Sequence, residues 1–137
     1  RIMKKLLVAF TICIPLFSFS QNFNGIWVDS SSTSFSNCSA VFSVKNDSVF
    51  MTHYLEFNGN PFVEYGIGKV YGKKLKYNVN VTLQVPGWKT TKGKHILTIS
   101  EDGKTLRGTY EDDSGNKGVL VFKRKYPENK LDYNMPD

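Results

Sequence analysis

Three features of this 137-residue sequence predict an all-β fold, an antiparallel meander of about eight strands closed into a barrel. One long segment alternates apolar and polar residues without interruption. Turn signals rich in Asn, Asp and Gly recur between short apolar runs. No stretch shows the spacing of three to four residues that an amphipathic helix requires.

Met3-Lys4-Lys5 is followed by the apolar run Leu6 to Phe17 and by Ser18-Phe19-Ser20. A charged start, a short greasy middle and small residues at the end are the layout of a bacterial secretory signal. The apolar run is about twelve residues, short of the roughly twenty that span a bilayer, and Pro15 breaks it. Residues 1–20 are therefore expected to be a cleaved signal peptide, giving a periplasmic or secreted protein without a stable membrane anchor. Arg1 and Ile2 precede the expected initiator. Residues 21–125 are expected to form one β-barrel domain, and 126–137, with Pro127 and Pro136, a polar C-terminal tail.

Cleavage would remove Arg1, Lys4 and Lys5, lowering the formal net charge from +6 to +3. That residual charge gives no support to nucleic-acid binding. Lys69, Lys73, Lys74 and Lys76 cluster around Gly72, where a solvated hairpin accounts for them. Cys13 would leave with the leader, so Cys38 stands alone and no intrachain disulfide is expected. Without a neighbouring His or cationic cluster, Cys38 reads as a half-buried thiol.

Gly25-Ile26-Trp27-Val28 reads as a short first strand, and the Ser-rich run Asp29 to Ser39 as a long loop. Ala40 to Lys45 and Ser48 to Asn58 form a hairpin around Asn46-Asp47. On its second arm the inward parity is open: Val49, Met51, His53, Leu55 and Phe57 compete with Phe50, Thr52 and Tyr54. Asn58-Gly59-Asn60-Pro61 turns the chain into a strand from Phe62 to Tyr71, in which Gly66 and Gly68 allow a bend or a close backbone approach. Leu75 to Val85 is the uninterrupted alternation, with Leu75, Tyr77, Val79, Val81 and Leu83 expected inward. Pro86-Gly87 opens a loop carrying Trp88. Strands Lys94 to Ser100, Thr105 to Glu111 and Gly118 to Lys125 follow, joined at Asp102-Gly103 and at Asp112 to Lys117.

Gly25-Ile26-Trp27 on the first strand and Arg124 at the end of the last resemble the lipocalin-like, or calycin, β-barrels. The resemblance extends over residues 23 to 125 in strand number and order. It implies that Gly25, Trp27 and Arg124 build a structural barrel floor, with the indole plugging the closed end and the guanidinium stacked on its face. It also implies binding of a small apolar or lipid-like molecule.

Met51, Tyr54, Tyr65, Tyr77, Val79, Trp88 and Tyr110 would suit an apolar pocket with hydroxyl handles. Core packing accounts for the same residues equally well. Trp88, in a loop at the barrel mouth, suits a lid or a contact anchor. The expected partner is thus a small apolar ligand, or alternatively a protein, as for an inhibitor or an envelope-complex accessory subunit. No cofactor, metal site or catalytic residue is expected: His53 and His95 lie far apart, and no nucleophile or phosphate-loop motif is present. Adjacent acids at Asp112-Asp113 read as turn chemistry, because they lack EF-hand spacing. An enzyme on this barrel would need an inward cluster around His53 or His95 with a carboxylate in hydrogen-bond reach.

Overall fold

The computed structural model describes residues 22–125; the expected signal peptide and C-terminal tail lie outside them. Among the described residues there are eight antiparallel strands, β1 (Gly25–Asp29), β2 (Phe35–Lys45), β3 (Ser48–Phe57), β4 (Asn60–Tyr71), β5 (Lys74–Leu83), β6 (Lys92–Ile99), β7 (Thr105–Asp112) and β8 (Lys117–Arg124). Each pairs with its neighbours in sequence, and β8 returns to β1, closing the barrel. No helix among these residues is long and apolar enough to cross a membrane.

Alternation decides the interior. The burial of β5 follows the predicted odd positions through Leu75, Tyr77 and Val79. On β3 the parity resolves to Val49, Met51, His53 and Leu55 inside, with Phe50 on the outer face. The Asn46-Asp47 turn joins β2 to β3 with Asn46 at φ 55°, a conformation Asn tolerates. Gly66 and Gly68 serve close approach. A methyl at Gly68 would lie 2.0 Å from the Lys76 carbonyl oxygen, and one at Gly66 would lie 2.6 Å from the Tyr77 ring.

Two expectations are corrected. The Ser-rich run is not a loop as far as Ser39, because β2 starts at Phe35, whose ring packs edge-on against Phe57 and Trp88. A bulge between Ser36 and Ser39, with Asn37 at φ 50°, accommodates the irregular stretch. Leu83 is not inward. Val63 pairs with Leu83 whereas Glu64 pairs with Val81, so one extra residue at Thr82 reverses the parity beyond it. Leu83 is left 45% exposed.

Apolar packing concentrates at one end, where Phe23, Trp27, Phe42, Leu75, Leu97 and Phe122 are almost completely buried. Arg124 lies directly across the sheet from Trp27, with its guanidinium carbon 4.2 Å from the indole centroid. Its Nε donates to the Gly103 carbonyl and its Nη1 and Nη2 to the carbonyls of Asn24 and Asn22. The Trp27 Nε1–H donates to the Phe23 carbonyl at 3.0 Å. Both polar ends of this stack are satisfied, so the floor is sealed at little desolvation cost. A second, smaller cluster of Cys38, Leu55, Phe62 and Val85 sits towards the other end, against Phe35, Phe57 and Trp88.

Candidate functional site

Between the two apolar clusters the barrel buries a row of polar side chains. Asp29 follows Trp27 by two residues on β1 and so points to the same, inner face. His53 on β3 faces Glu64 on β4 in direct register, and His95 on β6 faces Tyr77 on β5. Paired residues share a face of the sheet, so all five meet inside. His53 Nε2 lies 2.9 Å from Asp29 Oδ2, and its Nδ1 lies 2.9 Å from Glu64 Oε1. The same Glu64 oxygen is 3.5 Å from His95 Nε2. The Tyr77 hydroxyl lies 2.9 Å from His95 Nδ1.

These contacts fix the protonation states. Burial works against a charged His53, but hydrogen bonds to Asp29 and Glu64 outweigh it and raise the imidazole from its ordinary 6.5 to about 9. His53 is therefore an imidazolium that donates from both nitrogens. Burial dominates at His95 and lowers it to about 4, with the His53 charge acting in the same direction and Glu64 opposing. Neutral His95 accepts at Nδ1 from Tyr77, whose own ionisation burial pushes well up. Its Nε2–H then points at Glu64. Asp29 is held below the usual carboxylate range: burial opposes ionisation, but hydrogen bonds from His53 and Ser31 overcome it. Asp29 and Glu64 thus share a single imidazolium between them.

The cluster forms the base of a cavity of about 820 Å³, within the range of small-molecule sites. Its walls are Leu55, Phe62, Val79, Tyr110 and Leu120, its upper edge is Phe35 and Trp88, and exposed Lys89, Ser114 and Asn116 stand at its rim. Trp88 packs against Phe35, Phe57 and Phe62 with centroids 5.1–6.2 Å apart. Its loop is tied to the β7–β8 turn, since Thr90 Oγ1 donates to Asp112 and Thr91 donates to Asp113 through both its amide and its hydroxyl. Asp112 also accepts the Ser114 and Asn116 amides. The adjacent acids thus hold a turn and a loop together.

The predicted pocket residues divide into three groups. Val79, Trp88 and Tyr110 line the cavity. Met51 is buried in the closed-end core, and Tyr77 stands behind His95. Tyr54 and Tyr65 are corrections: both face outward, Tyr54 hydrogen-bonded to Glu56 and Tyr65 42% exposed, because the inner parity of β3 and β4 belongs to His53 and Glu64. Gly25, Trp27 and Arg124 stand together at the floor. Burial pushes the Cys38 thiol up, and the negative charges of Asp29 and Glu56 push it further, which is the opposite of nucleophile activation.

No protein-family model matches the chain, and no solved structure matches it. A stretch of 72 residues, 53% of the chain, is 38% identical to uncharacterized protein 074L of Invertebrate iridescent virus 3, and the match covers 8% of that protein. The chain therefore spans a small fraction of the relative it matches.

Asp29, His53, Glu64 and His95 were not singled out together as a site from the sequence. One signal was available. The Asn58-Gly59 turn sets Phe57 opposite Asn60, and four residues back along each arm His53 stands opposite Glu64. For the β5–β6 pair no such count works, since a long loop leaves the register unfixed.

Among the described residues, no three or more His, Cys, Asp or Glu side chains are arranged to hold a metal ion. One oxygen of each carboxylate, Asp29 Oδ2 and Glu64 Oε1, faces a His53 ring nitrogen instead. The geometry does meet the condition for acid–base chemistry on this barrel, two histidines with a carboxylate between them. Both nitrogens of His53 are nevertheless occupied by carboxylates, and Nδ1 of His95 by Tyr77, so the arrangement presents a fixed charge pattern more readily than a free base.

Proposed function

We propose that this is an exported small-molecule binding protein of the lipocalin-like type, which takes its ligand into the barrel rather than transforming it. The observation that carries this reading is the cavity of about 820 Å³ above a sealed floor, with apolar walls and a few convergent polar groups at its base. The Gly25, Trp27 and Arg124 floor supports the family resemblance, and the leader-like residues 1–20 support export to the periplasm or beyond. Native mass spectrometry of the protein purified from its own host should detect a bound small molecule. Apolar probes should quench the fluorescence of Trp88, whose indole edges the cavity. An empty barrel whose fluorescence no probe alters would remove this reading.

A second reading, a protein-interaction module, is favoured by the outer face. Val41, Phe50, Tyr65 and Ile67 are each 42–53% exposed, and Phe50 and Ile67 are direct cross-strand neighbours. Under this reading Phe50→Ser abolishes capture of a protein partner while leaving probe quenching at Trp88 intact. Unchanged capture by that variant would exclude this face.

A further inference from the structure

Every hydrogen bond and ion pair of Glu64 among the described residues falls on one oxygen, Oε1. The residue is only 5% exposed and lines the cavity. No fully buried side-chain oxygen or nitrogen in the described structure lacks a partner, so Oε2 meets the cavity space. His53 is shared between Asp29 and Glu64 and can neutralise only one of them. The cavity lining as a whole repeats this imbalance. Asp29 and Glu64 stand inside, with Asp112 at the β7–β8 turn and exposed Glu111 at the edge, against Lys89 and the His53 imidazolium, in a chain whose formal net charge is +6. An acidic interior in a basic protein selects among ligands by sign, because a charge at the foot of a largely apolar cavity is weakly screened.

We propose that the ligand is a singly charged organic cation with an apolar body, its ammonium seated on Glu64 at the cavity base and its apolar part running between Phe62, Val79 and Leu120 to Trp88. This rests on the small-molecule reading above and names the class of ligand. A protonated amine supplies the positive charge the base lacks and donates to Glu64 Oε2. A carboxylate ligand would bring like charge to the same spot. An alcohol could donate a hydrogen bond but would leave the charge unpaired. A metal cation is a poorer match, because among the described residues no three or more His, Cys, Asp or Glu side chains converge to replace its water. The aromatic edge formed by Phe35, Phe62 and Trp88 suits either an apolar tail or a cation in transit.

The test is isothermal titration of the full chain, near neutral pH, with octylamine, octanol and octanoate, which share one tail and differ in head group. Octylamine should bind about ten-fold or more tightly than octanol, and octanoate most weakly. Glu64→Gln keeps the shape and removes the charge, and should bring octylamine to within about three-fold of octanol while leaving octanol unchanged. Octanol or octanoate binding as tightly as octylamine would overturn the inference and leave the small-molecule reading standing, as would an amine preference that survives in E64Q. If none of the three binds, the small-molecule reading fails and the cation inference with it. Should E64Q not fold, the ranking in the unmodified protein decides by itself.

Discussion

At the closed end of the barrel, Trp27 meets Phe42 edge-on, Phe42 meets Phe122, and Arg124 lies over the indole with its donors on backbone carbonyls. At the other end, the same alternation of strands points Asp29, His53, Glu64 and His95 inward, and above them the barrel is hollow. Both ends make side-chain hydrogen bonds, but with different consequences. The floor gains close packing and has no group that titrates near neutrality. The base of the cavity gives up packing to hold charge, and its stability becomes a function of pH. The difference teaches that one β-barrel can divide its strands lengthwise, assigning one half of each to close packing and the other to a buried polar cluster beneath a cavity.

Trp27→Ala should separate the two ends most sharply. It empties the largest fully buried side chain and leaves Arg124 without its stacking surface, and should cost about 3–5 kcal/mol in denaturant unfolding. A loss below about 1 kcal/mol would show that the floor is not where stability resides.

His53→Leu strands two buried carboxylates without their shared cation and should cost about 3 kcal/mol near neutral pH. The pH dependence of the unmodified protein gives a gentler version of the same experiment. His53 has a raised folded value, so its stabilisation is full below the ordinary 6.5 and is lost as pH rises through about 9. His95 is depressed, so its contribution is full above 6.5 and is lost as pH falls through about 4, where the lowered Asp29 also begins to give way. The melting temperature should therefore peak near 6.5, and His53→Leu should flatten the alkaline side. A melting temperature that kept rising towards about 9 would contradict the protonated His53 bridge.

Arg124→Lys keeps the charge but loses the flat stack and the fan of hydrogen bonds, and should cost about 2 kcal/mol without altering probe binding. Trp88→Ala should do the reverse. Its stability cost should be about 1 kcal/mol, since the half-buried indole already borders a cavity, while most probe quenching disappears. Equal effects of these two substitutions on binding would erase the distinction between floor and mouth.

Much of this architecture was legible beforehand. The odd positions of β5 as far as Val79 and the turns at Asn46-Asp47 and Asn58-Gly59 follow from alternation and turn chemistry, which are local, whereas the pairing of Trp27 with Arg124 was an expectation from the resemblance to lipocalin-like barrels. The site was less legible because its members come from four strands and are joined by register. Asp29 stood on the same parity as Trp27, yet a Ser-rich neighbourhood made it look like a loop. On β3 both faces carry large apolar groups, so His53 could not be assigned a side until Phe50 was seen outside. The bulge at Thr82 has no sequence signature of its own, and it reverses which face Leu83 occupies.

The seam between β1 and β8 is the barrel's one join between strands distant in sequence, and it is a short one, running from Trp27 opposite Arg124 to Asp29 opposite Phe122. All other pairings are between consecutive strands and can form early, with little loop entropy to overcome. Bringing the first strand home against the last is the costly step. The same motion delivers Trp27 to the floor and Asp29 to His53. Closure and site assembly are therefore one event, and an unzipped barrel would lack both its plug and one of the two carboxylates that hold His53 charged. In kinetic terms, formation of the Asp29–His53 contact reports that the final seam has closed.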